Sequence, residues 1–139
     1  MQDTDLQLLM LYTLIRDESY CRTVVPSLKE SYFVGPMVPI VKVFKKHFLK
    51  YLVKPSPSVI MTLLDEEFSK HPERQKKKAE CIGVLKETVG LNFDINAERQ
   101  WILEETQNFI KKEALREAII DCADIIQKHK NLTSDKYME

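Results

Sequence analysis

The sequence predicts an all-α protein, a compact bundle of about five short helices followed by one long helix. Three observations carry this. Only Gly35, Gly83 and Gly90 are glycine among 139 residues, too few for the hairpins and bulges of a β-rich domain. Apolar residues recur at three- and four-residue intervals, the period of one helix face. From Ala97 to His129 neither proline nor glycine interrupts the chain. The length, with 44% hydrophobic and 30% charged residues, suits one domain that buries a core without disulfide or metal staples. The expected division is a globular body over 1–95, a long helix over 96–131, and a turn and short tail over 132–139.

Asp3 or Thr4 is placed to cap the first helix. Leu6, Leu9 and Met10 lie on one side of it and Leu8, Leu11, Tyr12 and Ile15 on another, and a helix apolar nearly all round belongs at the centre of a core. A second helix starts at Asp17 or Ser19 and turns Tyr20, Val24 and Leu28 inward; Pro26 must sit in its first turn or bend it. Ser31 to Pro36 reads as a turn carrying two aromatic plugs, Tyr32 and Phe33. Pro39 fits the first turn of a third helix whose apolar stripe is Val41, Phe44, Phe48 and Tyr51 or Leu52. Ser56 followed by Pro57 is a helix start, because proline at the first helical position loses no hydrogen bond. Ile60, Leu63, Leu64 and Phe68 face inward behind it. Pro72 opens helix five, with Ala79, Ile82, Leu85 and Val89 inward and Gly90 as its C-terminal cap. Asn92 to Asp94 is a turn, and Asp94 or Asn96 caps the long helix.

The long helix changes phase. At about 100° per residue, Ile102, Thr106, Phe109 and Ile110 gather on one side, while Leu115, Ala118, Ile119, Cys122, Ile125 and Ile126 gather nearly opposite. One body cannot bury two opposite faces of a straight helix. Either the helix breaks near Lys111–Ala114, or its first half docks on the body and its second half on something else. Leu115, Ile119, Cys122 and Ile126 step by four, three and four residues, a heptad seam, and are expected to form an interface with a partner helix together with Ala118 and Ile125. Asn131 to Asp135 reads as a turn.

Chemistry is sparse. The glycines are followed by Pro36, Val84 and Leu91, so the chain holds no Gly-Lys-Ser/Thr phosphate loop and no Gly-x-Gly-x-x-Gly. Cys21, Cys81 and Cys122 are far apart and form no Cys-x-x-Cys pair; plain buried thiols in a reducing compartment are expected. His47, His71 and His129 stand singly, with no metal-ligand spacing. Glu66-Glu67 and Glu104-Glu105 point about 100° apart on a helix and read as solvated faces. No catalytic residue, cofactor or metal is expected. Lys plus Arg and Asp plus Glu are both 21, and a dedicated nucleic-acid binder is usually basic. The balance is uneven along the chain: between Glu30 and Asp65 there are five lysines and no acidic residue. Lys42, Lys46 and Lys50 are spaced by four. A solvated face is one reading of them; a basic stripe for an acidic surface or a nucleic-acid backbone is the other. Lys76-Lys77-Lys78 reads as solvent face. The N-terminus has no secretory signal, no apolar run spans a bilayer, and a soluble, cytoplasmic protein is expected.

Several stretches carry a resemblance. They are Leu8 to Ile15 followed by Asp17-Glu18-Ser19-Tyr20; Val25-Pro26-Ser27-Leu28; Tyr32-Phe33 and Phe44; and Pro57-Ser58 with Leu63-Leu64 and Glu66. The densest is Trp101 to Phe109, and Leu115-Arg116-Glu117-Ala118-Ile119 comes after it. In this order they resemble the N-terminal domain of DnaB-type hexameric replicative helicases, most closely those of phages that act with a separate primase. The resemblance implies a non-catalytic collar domain without ATPase activity. The long helix would be the first arm of a helical hairpin that pairs with a second copy in a dimer or hexamer. Primase would be a partner, DNA would be met weakly or through a motor domain that lies outside these residues, and the place of action would be the cytoplasm, the host's if the protein is a phage's. A related helical fold occurs in the helicase-binding end of some primases, which would reverse the partners.

Overall fold

A computed structural model describes residues 3–137, with side chains from Asp5 to Asn131. Among the described residues there are six α-helices and no strand. Helix α1 (Asp3–Arg16) is the centre: Met10, Leu11 and Leu14 are fully buried, and Leu6, Tyr12 and Ile15 nearly so. The expected caps Asp3 and Thr4 have side chains outside the described residues. Thr13 is also buried, and its hydroxyl donates to the Leu9 carbonyl at 2.7 Å, which satisfies a polar group that would otherwise be costly there.

Helix α2 (Glu18–Val24) is capped by Asp17, whose Oδ1 accepts the Tyr20 N–H at 2.8 Å. Pro26 does not bend it; the proline lies in a separate 3-10 turn, Val25–Ser27. A second 3-10 turn, Glu30–Tyr32, delivers Tyr32 and Phe33 into the core as plugs. Gly35 comes next at φ +55°, a conformation glycine adopts without strain. Helix α3 (Met37–Tyr51) buries Ile40, Val41, Phe44 and Phe48. The expected continuation of that stripe fails, because Tyr51 and Leu52 are exposed. The helix has ended there: Leu52 turns left-handed at φ 60°, and its N–H closes on the Phe48 carbonyl at 2.7 Å.

Ser56 Oγ accepts the Val59 N–H at 3.2 Å and starts α4 (Pro57–Ser69), which buries Ile60, Leu64 and Phe68. Pro72 opens a 3-10 turn, Pro72–Arg74, rather than the helix itself. Helix α5 (Gln75–Val89) buries Cys81, Leu85 and Thr88, while Ala79 and Val89 are not buried and Ile82 is half-buried. Its inward face is therefore turned from the expected one. Thr88 is tolerated inside because its hydroxyl donates to the Val84 carbonyl at 2.8 Å. Helix α1 touches α2, α5 and α6, and α3 packs on α4 and α5.

Asp94 caps the last helix, its Oδ1 accepting the Ala97 N–H at 3.1 Å. Helix α6 (Ile95–Tyr137) has 43 residues, a length of about 60 Å. The backbone leaves helical values inside it at Glu98 (φ −110°, ψ 17°), so the first turn meets the rod at a kink. No break occurs near Lys111–Ala114. The turn expected at Asn131–Asp135, and with it the turn-and-tail reading of 132–139, is corrected: the helix runs through to Tyr137. Asn, Thr, Ser and Asp each cost only tenths of a kcal/mol in a helix, about 0.7 at most, and no Gly or Pro is present to stop it. Residues 138–139 and the side chains after Asn131 are outside the described residues.

Phe44, 1% exposed at the centre of the bundle, is expected to cost about 3–5 kcal/mol when replaced by alanine. Trp101 is half-buried, beside Phe93 at 6.3 Å between ring centroids, and Trp101→Ala should cost about half as much. Urea denaturation of the two variants measures both, and a Trp101 loss equal to that of Phe44 would refute the difference.

Candidate partner interface

The side of α6 that meets the body is held by apolar contact and by two polar pins. Ile102 and Phe109 are buried, with Phe109 tilted against Phe33 at 5.6 Å. Thr106 Oγ1 donates to the Ile102 carbonyl at 2.7 Å. A hydroxyl has one proton, so in the 2.6 Å contact between Tyr20 and Thr106 the tyrosine is the donor. Burial pushes the Tyr20 hydroxyl well above its ordinary 10.0. The second pin is Asp17, whose Oδ2 meets Arg99 Nη1 at 2.5 Å while its Oδ1 caps α2. Sequence reasoning missed both pins, because residues 17 and 20 meet residues 99 and 106 only through the fold.

Contact with the body continues to Glu117, which accepts the Ser31 hydroxyl at 2.5 Å and lies 3.6 Å from Lys29 Nζ. Past Ile120, which lines a groove with Ser31 to Val34, every described residue of α6 is exposed. Leu115, Ile119 and Ile126 are 62%, 60% and 67% exposed, and Ala118, Cys122 and Ile125 are open to solvent with them. All six residues predicted for the partner face thus share one solvent-facing stripe. Ile120 is half-exposed on the opposite side, in line with Glu113 and Glu117.

The lysine stripe is arranged otherwise. Lys42 Nζ is bonded to Glu67 Oε1 at 2.7 Å. That bond raises the lysine's pKa and, with the nearby charges of Lys70 and Lys46, lowers the carboxyl's. Lys50 Nζ sits 5.2 Å over the Tyr51 ring, and Lys46 is exposed. The acid-free interval from Glu30 to Asp65 is compensated in space by Glu67 of α4. One of the three cations of the stripe, Lys42, is thus neutralised by a carboxylate.

Of the cysteines, Cys21 and Cys81 are buried, but Cys122 is exposed, which corrects the expectation for it. Burial pushes the Cys21 thiol up to about 12, and the same cause raises Cys81, so neither is a nucleophile at neutral pH. A cavity of about 380 Å³ lies between α3, α4 and the start of α5, lined by Lys42, Glu67, Phe68, Arg74 and Cys81 among others. Among the described residues no group of three His, Cys, Asp or Glu side chains is placed to hold a metal ion. Among them, too, no helix is long and apolar enough to cross a membrane.

Thr106→Val leaves the buried Tyr20 hydroxyl without its acceptor and should cost about 1–3 kcal/mol in urea denaturation; an unchanged midpoint would show the pin carries nothing. Alkali should act at the same place. Below pH 9 folded and unfolded chains hold both protons. Above it the unfolded chain loses the Cys21 proton at an ordinary 9.0 while the folded chain keeps it to about 12. Tyr20 adds the same imbalance above its ordinary 10.0. Stability therefore falls as pH rises from 9, and Tyr20→Phe should flatten the loss above 10. A midpoint constant across that range would contradict the burial of both groups. Compared with protein-family models, curated proteins and solved structures, the chain matches none.

Proposed function

We propose that the chain is a non-catalytic assembly and docking module, of the kind that forms the N-terminal collar of DnaB-type replicative helicases. In this reading the body is a rigid head and α6 is an arm that pairs with a second copy of the chain in a dimer or hexamer. Primase is the second partner, and the place of action is DNA replication in the cytoplasm. The observation that supports this most is the solvent-facing stripe Leu115, Ala118, Ile119, Cys122, Ile125 and Ile126. It runs at heptad spacing opposite the side that holds Ile102, Thr106 and Phe109 on the body. No described residue covers it, and large exposed apolar patches mark sites of association.

Burying one isoleucine contributes about 1.5–3 kcal/mol, and a symmetric pair counts each position twice. Ile119→Asp or Ile126→Asp should therefore weaken self-association at least about a hundredfold while the melting temperature of the body stays unchanged. Sedimentation velocity across a concentration series reads the first and calorimetry the second. A parent that stays monomeric, or an oligomeric parent whose variants keep its mass, would sink the reading. Cys122 supplies a check without mutation. It is the exposed cysteine among buried ones, so a bulky maleimide should modify it first and weaken association as the aspartates do.

A further inference from the structure

A second apolar surface lies on the body. At the C-terminal end of α3, Leu49, Tyr51, Leu52 and Val53 are each more than half exposed. Leu52 is 68% exposed and holds the left-handed conformation, φ 60° and ψ 20°, at the position that ends the helix. Glycine or asparagine is preferred there, because the Cβ of other residues crowds the carbonyl oxygen in that backbone. The side chain thus packs on little of its own chain and strains the backbone that carries it. Both costs point to a contact outside the chain.

The surroundings are basic. Leu49 lines a groove of about 440 Å³ with Lys29, Glu30, Ser31, Lys42, Lys45 and Lys46, and Glu117 meets it at Ser31 and Lys29. Lys42 is taken by Glu67. The Lys45 ammonium donates to the Leu28 carbonyl, which orients its charge without neutralising it. Lys46, Leu49 and Lys50 share one face of α3, and Leu52 and Val53 follow directly at its end, so the cations and the apolar knob are neighbours.

We propose that this knob and groove dock an acidic amphipathic segment of another protein, its apolar side chains on Leu49, Leu52 and Val53 and its carboxylates toward Lys45 and Lys46. Charge complementarity selects that partner. The one aromatic ring, Tyr51, is engaged by His47 at 4.7 Å and by Lys50, which disfavours base stacking. A knob this small with few open cations anchors weakly to a bilayer, where stable binding needs two strong signals. The surface is independent of the arm stripe and does not rest on the assembly reading.

The test uses the full chain and two short fluorescent peptides of equal length. One is built of Leu, Phe, Asp and Glu; in the other Lys replaces the acids. The acidic peptide should bind and shift the amide resonances of Leu49 to Val53. Leu52→Gly and Lys46→Glu should each weaken it about tenfold or more. The Leu52→Gly chain should melt at the same or a higher temperature, because glycine relieves the left-handed strain. Ile119→Asp should leave peptide binding intact whatever it does to mass, so the two proposals fail separately. No binding of the acidic peptide, equal binding of the basic one, or undiminished binding by Leu52→Gly would overturn the proposal. So would a lowered melting temperature in Leu52→Gly, which would make Leu52 a structural residue. Tighter binding to anionic vesicles or single-stranded DNA would assign the surface to lipid or nucleic acid instead. Loss of self-association in Leu52→Gly would assign it to a second copy.

Discussion

An α-helix presents each residue at a set angle to its axis, and that constraint governs everything beyond the body of this protein. Once Ile102, Thr106 and Phe109 are turned onto the bundle, the residues half a turn round, Leu115, Ile119 and Ile126, point to solvent. A break near Lys111–Ala114 would have released the conflict, but the helix continues unbroken. The chain tolerates the exposure of six apolar or small residues in a row of heptads. A protein that needed only to fold would gain from polar residues at those positions.

The forces that hold the rod in that rotation are mixed in character. Ile102 and Phe109 supply the apolar burial, which is strong but non-directional. The bonds from Tyr20 to Thr106 and from Arg99 to Asp17 supply direction. Both reach the rod from the short segment 17–20 that caps and begins α2, so one local turn sets the start of α2 and the phase of α6 together. The Asp17 carboxylate does both at once, with one oxygen on each. A rotation of α6 by one residue would strand a buried tyrosine hydroxyl and an almost buried carboxylate, which is costlier than misplacing a methyl group.

The two exposed surfaces differ in kind. The arm stripe is long, periodic and flanked by mixed charge, as a helix partner requires. The knob at the end of α3 is compact, aperiodic and basic. It went unseen in the sequence because Tyr51 and Leu52 continue the inward spacing of Val41, Phe44 and Phe48. The helix ends at Tyr51, so that spacing no longer places Leu52, and both residues are exposed. The run Tyr51-Leu52-Val53 ahead of Lys54-Pro55 was the available sign, three apolar residues in a row just where a helix must stop.

Features that depend on near neighbours were legible along the chain. Scarce glycine set the class. Asp17, Ser56 and Asp94 marked helix starts through bonds to residues three positions on. The phase change between Phe109 and Leu115 announced an arm that one body could not cover. Features that depend on distant partners emerged only on folding. The bundle brought Glu67 to Lys42 and so closed part of a stripe that looked open along the chain. It rotated α5 so that Thr88 went inside and Val89 did not. It also separated Cys122 from the two buried thiols. Local periodicity states that a face is apolar, but which face meets a neighbour is settled only when all the helices share one volume and each buried polar atom finds its partner.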